Sequence, residues 1–318
     1  MSRTATTLLI LALLASGCVS TGTPVSPDAL VTYRDSMVDL DQASAEALTY
    51  EYDWNYRNYR EQVQAQDSSD TAPLILDFCE GMTTYEWRWG DCDLQTSELP
   101  VFYAIADMRT RLGQLNQLMV DYANFLIALN GANEGSQAVV EAAAEKVSAS
   151  VSSIAGTFGE DLDRDRLGAF SSIGAAFVRQ HLAREQRDSM AEVMGGFQPG
   201  IEQFAMLGAI AMRTSAGGIK AEYLLDRKPL TEQIAGETDG GQRFALIKQL
   251  FDLNEITIAA IESRKALGAA YQALPGAHRE LIEALEAGRQ PGLGELVGHI
   301  EMINAAYQIL NDKGGSET

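Results

Sequence analysis

The stretch from Ile105 to Leu129, IADMRTRLGQLNQLMVDYANFLIAL, sets Ile105, Met108, Leu112, Leu115, Met119, Tyr122, Leu126 and Leu129 at alternating steps of three and four residues. That spacing keeps the apolar side chains on one stripe of an α-helix, whereas a strand would throw them to both faces. Sustained over more than three heptads, it predicts a helix packed along its length in a coiled-coil-type seam. Asn130-Gly131 supplies a C-cap and turn. The seam beyond it, Val140, Ala144, Val147, Val151, Ile154 and Phe158, uses smaller residues that permit close approach. The two read together as an antiparallel helical hairpin.

The same logic extends in both directions. Upstream, Ser26-Pro27-Asp28 is a helix start, with an N-cap, Pro at the first helical position and an acid at the positive end of the dipole. Leu30, Tyr33, Met37, Leu40, Ala47, Tyr50 and Trp54 give that helix a buried stripe, and it is expected to reach about Gln66. Downstream, a helix from about Leu167 carries Phe170, Phe177, His181, Met190 and Val193 to Gly195-Gly196, with a hinge or tight turn expected over residues 196–200 around Pro199. Residues 204–212, FAMLGAIAM, are apolar all round and read as the centre of a bundle. Gly217-Gly218 is expected to end a helix, and Asp239-Gly240-Gly241 to form a loop. Leu253, Ile256, Ala260, Ser263, Leu267, Ala270 and Leu274 form another seam, expected to stop at Pro275-Gly276. A short helix to about Gly288 and a last one carrying Leu296, Ile300, Ile303, Tyr307 and Leu310 complete the pattern. No segment alternates convincingly as a strand, except Tyr85 to Trp89 in part. The fold class is therefore all-α: an elongated, mostly antiparallel bundle of about seven helices over residues 26–318, as one domain.

Periodicity fails over residues 67–98, an ordered excursion that holds Cys79 and Cys92. An even pair in an oxidising compartment reads as one disulfide, and two Cys with twelve residues between them and no nearby His make an incomplete zinc set. The three tryptophans, Trp54, Trp87 and Trp89, all fall before residue 90, alongside several tyrosines. Tyr52, Tyr56 and Tyr59 share one helix face, so the first helix is aromatic on more than its buried side. Together with Tyr85, Trp87 and Trp89 they form the candidate binding surface, suited to a sugar ring or a protein anchor; packing among themselves is the plainer alternative.

The remaining third cysteine explains the compartment. Arg3, the apolar run from Leu8 to Leu14, and Ala15-Ser16-Gly17-Cys18 resemble the lipobox signal peptide of bacterial lipoproteins. The resemblance covers residues 1–18 and departs from the usual pattern at Ala15, where Leu is commoner. It implies a signal peptide over residues 1–17, lipidation of Cys18, and a short tether over residues 18–25. Val19 after the Cys implies the outer membrane under the enteric sorting rule. The expected location is thus the cell envelope, lipid-anchored and facing the periplasm.

Hydrophobic residues make up 46% of the chain against 21% charged, a globular balance, while a net charge of -20 gives a strongly acidic surface. Such a surface repels phosphate backbones, so nucleic acid is excluded as a natural partner. Only three histidines occur, and the motifs of zinc proteases, serine hydrolases and nucleotide enzymes do not. His181 reads as a packed interhelical residue, His278 as exposed near a helix start, and His299 as the ion-pair partner of Glu295. Asp161, Asp163 and Asp165 mimic the opening of a calcium loop, but Arg166 and Ser172 stand where Gly and a bidentate Glu are needed. No cofactor, metal or catalytic residue is assigned. The reading is a non-enzymatic binding or scaffold lipoprotein with an envelope protein as partner, cell-wall glycan being the second choice of ligand. Two alternatives stand beside it. One is a pore-former-like protein that inserts residues 204–212, and the other is a glycan-acting enzyme using acids such as Glu80, Glu86, Asp91 or Asp93.

Overall fold

A computed structural model describes residues 27–65, 101–131, 137–158 and 186–314. These form six helices: α1 (Pro27–Ala65), α2 (Val101–Asn130), α3 (Gln137–Phe158), α4 (Gln186–Gly236), α5 (Gly240–Ala287) and α6 (Gly294–Gly314). The chain is all-α, with no strand among the described residues. Cys18, Cys79, Cys92, Tyr85, Trp87, Trp89, His181 and the acidic run at 161–165 lie outside them.

The seams fold as their spacing requires. On α1, Leu30, Tyr33, Met37, Leu40, Ala47 and Trp54 are buried; on α2, Ile105, Leu112, Leu115, Met119, Tyr122 and Leu126 are buried, with Met108 and Leu129 packed at the margin. Val140, Ala144, Val147, Val151 and Ile154 bring α3 against α2, and Ser150 Oγ donates to Asp121 Oδ2 at 2.6 Å across that pair. The turn after α2 is closed by Gly131 N donating to Ile127 O at 3.0 Å.

Three expected helix ends are instead helix interiors. Helix α4 runs without interruption through Gly195-Gly196, Pro199 and Gly217-Gly218, and α5 through Pro275-Gly276. A proline inside a helix costs about 3 kcal/mol. On either side of Pro199, however, Val193, Met194, Phe197, Ile201 and Phe204 are buried. Burying side chains of that size yields roughly 1.5 to 3 kcal/mol each, so continuity wins. The same holds around Pro275, flanked by buried Leu274, Ala277, His278 and Leu281, where Gln198 Nε2 also donates to the Pro275 carbonyl at 3.3 Å. These mergers account for fewer, longer helices than expected.

The expected loop at Asp239 is a tight turn. Its carboxylate accepts from Gly241 N at 2.9 Å and Gln242 N at 2.8 Å, capping α5. At the far end Gly288 takes φ 64°, the left-handed conformation that suits glycine in a C-terminal cap. The link to α6 is held by Arg289, which donates to the Glu280 carboxylate, and by Gly292 N at 3.0 Å from Glu280 Oε1. The Arg289 guanidinium, with help from that backbone N–H, holds the Glu280 carboxyl down to about 2.

Residues 204–212 are only partly central. Phe204, Ala205, Ala209 and Met212 are buried, but Met206 and Ile210 are 46% and 48% exposed, so one face looks outward. No described helix is long and apolar enough to cross a membrane.

Helices α4 and α5 pair antiparallel: Ser215 faces Arg264 and Tyr223 OH donates to Asn254 Oδ1 at 2.8 Å. Their outer part is less enclosed, although Trp54 and Asn58 near the end of α1 still reach Glu222 and Asp226 on it. From residue 220 to residue 256 no side chain is fully buried, whereas buried residues are frequent on both sides of that interval. The hairpin thus has a base embedded among α1, α2 and α6 and a more exposed arm beyond it, flanked on the α4 side by the end of α1. Helix α1 follows α4 in the parallel sense, since Glu51 meets Ser215 and Asn58 meets Glu222. The arm tip is therefore remote from Pro27, by about 70 Å at 1.5 Å per residue along α1 and then the arm.

Candidate functional site

Helix α5 places a polar residue in the core at every seventh position: Thr257, Arg264, Tyr271 and His278. Seven residues are nearly two turns, so the four lie in one row along the helix. Three of them knit α5 to its neighbours. Arg264, 1% exposed, donates from Nη2 to Ala47 O on α1, from Nη1 to Ala260 O at 3.1 Å and Ser263 Oγ at 3.0 Å, and from Nε to Ser215 Oγ on α4 at 3.4 Å. Its guanidinium also lies 5.6 Å from the centre of the Tyr50 ring, a cation-π distance. Ser215 Oγ in turn donates to Glu51 Oε2. Burial pushes the Glu51 carboxyl up from its ordinary value, the Ser215 hydrogen bond and Arg264 only partly opposing it. Gly218 makes the carboxylate's place: a Cβ there would stand 2.5 Å from Glu51 Oε1.

One step along the row, Tyr271 OH donates to Asn116 Oδ1 at 2.9 Å, and Asn116 Nδ2 donates to Ser44 Oγ at 2.8 Å, joining α5, α2 and α1. Next, His278 is wholly buried, with Nε2 2.7 Å from Tyr122 OH and Nδ1 2.7 Å from Gln198 Oε1. The expectation of an exposed His278 is therefore wrong. The cause is the continuity of α5 through Pro275, which carries the residue into the core. An amide oxygen only accepts, so the Gln198 contact requires the proton on Nδ1, and the Tyr122 hydroxyl then donates to Nε2. Burial lowers the imidazole to about 4, so it is neutral in ordinary buffers. Burial also pushes the Tyr122 phenol well up. His299 corrects a second expectation: it forms no ion pair with Glu295, and its Nδ1 is buried with no hydrogen-bond partner among the described residues.

These groups have the composition of a catalytic site and the surroundings of a core. A neutral His, a protonated phenol and an enclosed Arg and Glu hold four helices in register, because each polar group loses its partner if a helix slides by a residue. Among the described residues no group of three His, Cys, Asp or Glu side chains is arranged to hold a metal ion.

The outward-facing candidate lies at the C-terminal end of α1. Tyr52, Tyr56 and Tyr59 converge as their shared face predicts, and the structure supplies their common partner, Phe102 at the start of α2. Tyr52 and Tyr56 stack with centroids 6.0 Å apart; Phe102 meets Tyr52, Tyr56 and Tyr59 edge-on at 5.7, 5.3 and 5.5 Å. Arg109 caps the Tyr52 ring at 5.7 Å and Arg60 the Tyr56 ring at 5.8 Å. Tyr56 is 40% exposed, so the cluster is half core and half surface. Trp54, on the other face, is buried and donates from Nε1 to Asp226 Oδ2 at 2.7 Å. The cluster is 25 or more residues from Pro27, about 40 Å along α1.

Sequence reasoning missed Phe102, Glu51 and Arg264. The only signals for the last two were charged residues inside otherwise apolar stripes. No family model, no curated protein and no solved structure matches this chain.

Proposed function

We propose that the chain is a membrane-tethered lipoprotein of the cell envelope, acting as a non-enzymatic binding or scaffold protein that holds partners away from the membrane to which Cys18 attaches it. The observation that carries this reading is directional. Helix α1 begins just after the tether, and both the aromatic cluster around Phe102 and the α4–α5 arm lie toward its opposite end. An anchor at one end and ring-bearing, apolar surfaces at the other suit a spacer that presents a surface at a fixed height. Tyr56, stacked and flanked by Arg60, offers the rigid aromatic and Arg pairing common at interface hot spots. An envelope protein is the favoured partner, with a glycan strand the other ligand that aromatic faces suit.

The test has two arms. Metabolic labelling with an alkyne-bearing fatty acid should mark the wild-type chain and not Cys18→Ala, which should move to the soluble fraction. Cross-linked envelopes should then give a partner band with the wild type that weakens with Tyr56→Ala while the fold, followed by circular dichroism, is kept. Labelling that survives Cys18→Ala sinks the anchor, and identical bands from the two chains sink the aromatic surface.

A further inference from the structure

On the arm, α5 carries a second row of seven-residue spacing that the core does not use. Phe244, Phe251 and Ile258 are 72%, 63% and 60% exposed, and Ile247 lies half-buried on the same stripe. Positions seven apart drift by only about 20° on a straight helix, so the three side chains fall on one edge about 20 Å long, with Lys248 and Glu255 between them on the same stripe. Large exposed apolar residues are ordinary when scattered, but their regular alignment at coiled-coil spacing is the mark of a packing surface.

The charges beside that edge are segregated. Arg243 and Lys248 precede Phe251, and Asp252 and Glu255 follow it. We infer that the arm is a self-association surface, in which the α5 edges of two copies pack antiparallel about a two-fold axis near Phe251 and the two hairpins make a four-helix bundle. The pattern is self-complementary under that operation. Phe244 and Ile258 are equidistant from Phe251, so each meets the other across the axis, and Lys248 of one copy comes to Glu255 of the second to within one residue of register. In such an isologous contact each favourable pair occurs twice. A parallel arrangement would instead set Lys248 beside Lys248. Two chains of net charge -20 repel one another. The stretch from Arg243 to Glu255 holds two bases and two acids, so this edge is one where that repulsion is locally cancelled. Because α1 runs parallel to α4, this antiparallel pairing points the Pro27 ends of the two copies in opposite directions, so on the proposed anchoring it joins copies tethered to facing surfaces, not neighbours in one membrane.

The full chain, purified in detergent and mixed as equal parts of 14N- and 15N-labelled protein, is treated with a zero-length carbodiimide cross-linker. Lys248 to Glu255 peptides joining light to heavy chains are expected, with a dimeric mass in sedimentation once detergent is accounted for. Phe251→Glu should yield monomer with unchanged helicity. Lys248→Glu and Glu255→Lys should each weaken the dimer by about tenfold, and the double swap should restore it. A wild type that stays monomeric at about 100 μM overturns the proposal. So does a set of cross-links from the arm that runs only within one copy, to residues 66–100, or a double swap no better than the singles.

Discussion

Gly208 lies flat against the ring of Tyr271, so close that a Cβ on the glycine would stand 2.3 Å from Tyr271 Cδ1. Tyr271 is itself wholly buried and tied through Asn116 to α1, so the ring has nowhere to retreat. Gly208→Ala should therefore destabilise the fold despite the better helix propensity of alanine. Overpacking of this kind costs about 1 to 3 kcal/mol, against roughly 1 kcal/mol recovered from propensity. Gly217→Ala is the matched control, since nothing lies within 4 Å of its added Cβ, and it should gain about 0.5 to 1 kcal/mol. Urea unfolding followed by circular dichroism separates the two signs.

His278 gives the fold an acid limb. Its imidazole is lowered to about 4 by burial, against an ordinary value of 6.5. Between those values the unfolded chain binds a proton that the folded chain refuses, so the stabilisation is present above pH 6.5 and is lost as pH falls through 4. The loss from this one group is about 3 kcal/mol. His278→Gln should be less stable than wild type at pH 7, through altered contacts to Tyr122 and Gln198, yet its stability should fall less between pH 7 and pH 4. A pair of parallel pH profiles would show that the titration belongs to another group.

Glu51 works in the opposite sense. Its carboxyl is raised by burial, so the folded state favours the protonated form, and the contribution is fully present below the unfolded pKa and lost as pH rises through the folded one. Glu51→Gln should accordingly match or exceed the wild type at pH 7, with an advantage that shrinks toward pH 4. Arg264→Met should cost about 3 to 5 kcal/mol at pH 7, because it leaves a buried carboxylate with no cation near it. Thermal unfolding at the two pH values, for both variants, measures this.

Two tyrosines near His278 should respond with opposite signs to the same change. Tyr33 OH is buried with no hydrogen-bond partner among the described residues, while Tyr122 OH lies 2.7 Å from His278 Nε2. Tyr33→Phe removes a hydroxyl that gains nothing and should be neutral or stabilising. Tyr122→Phe orphans a buried ring nitrogen and should cost about 1 to 3 kcal/mol. Equal losses in chemical denaturation would show that Tyr33 OH has a partner after all.

How much of this was legible in the sequence follows from what periodicity can register. The α2 and α3 seams, the start of α1 at Pro27 and the turn at Asp239 were readable, because apolar spacing and capping residues act locally. The continuity of α4 through Pro199 and of α5 through Pro275 was not, because it depends on burial against helices far away in the chain. The polar row failed for a related reason. Arg264 and His278 sit where an apolar count expects a gap, and only partners such as Ala47 and Gln198 on other helices make them core residues. Of the candidate surface, Tyr52, Tyr56 and Tyr59 could be grouped by their helix face, but Phe102 comes from α2 across the intervening chain. A pattern read one helix at a time does not register that.

The arm between residues 220 and 256 has no fully buried side chain, and among the described residues its packing comes from the α4–α5 pair and from the contact of α1 with Glu222 and Asp226. Its exchange with deuterated solvent should run through small, frequent openings, while the base around Tyr271 waits for global unfolding. Cohesion is therefore graded along the hairpin, firm at the base and slight at the tip. Whatever seats on Phe244, Phe251 and Ile258 will register first as slowed exchange in a helix it need not reshape.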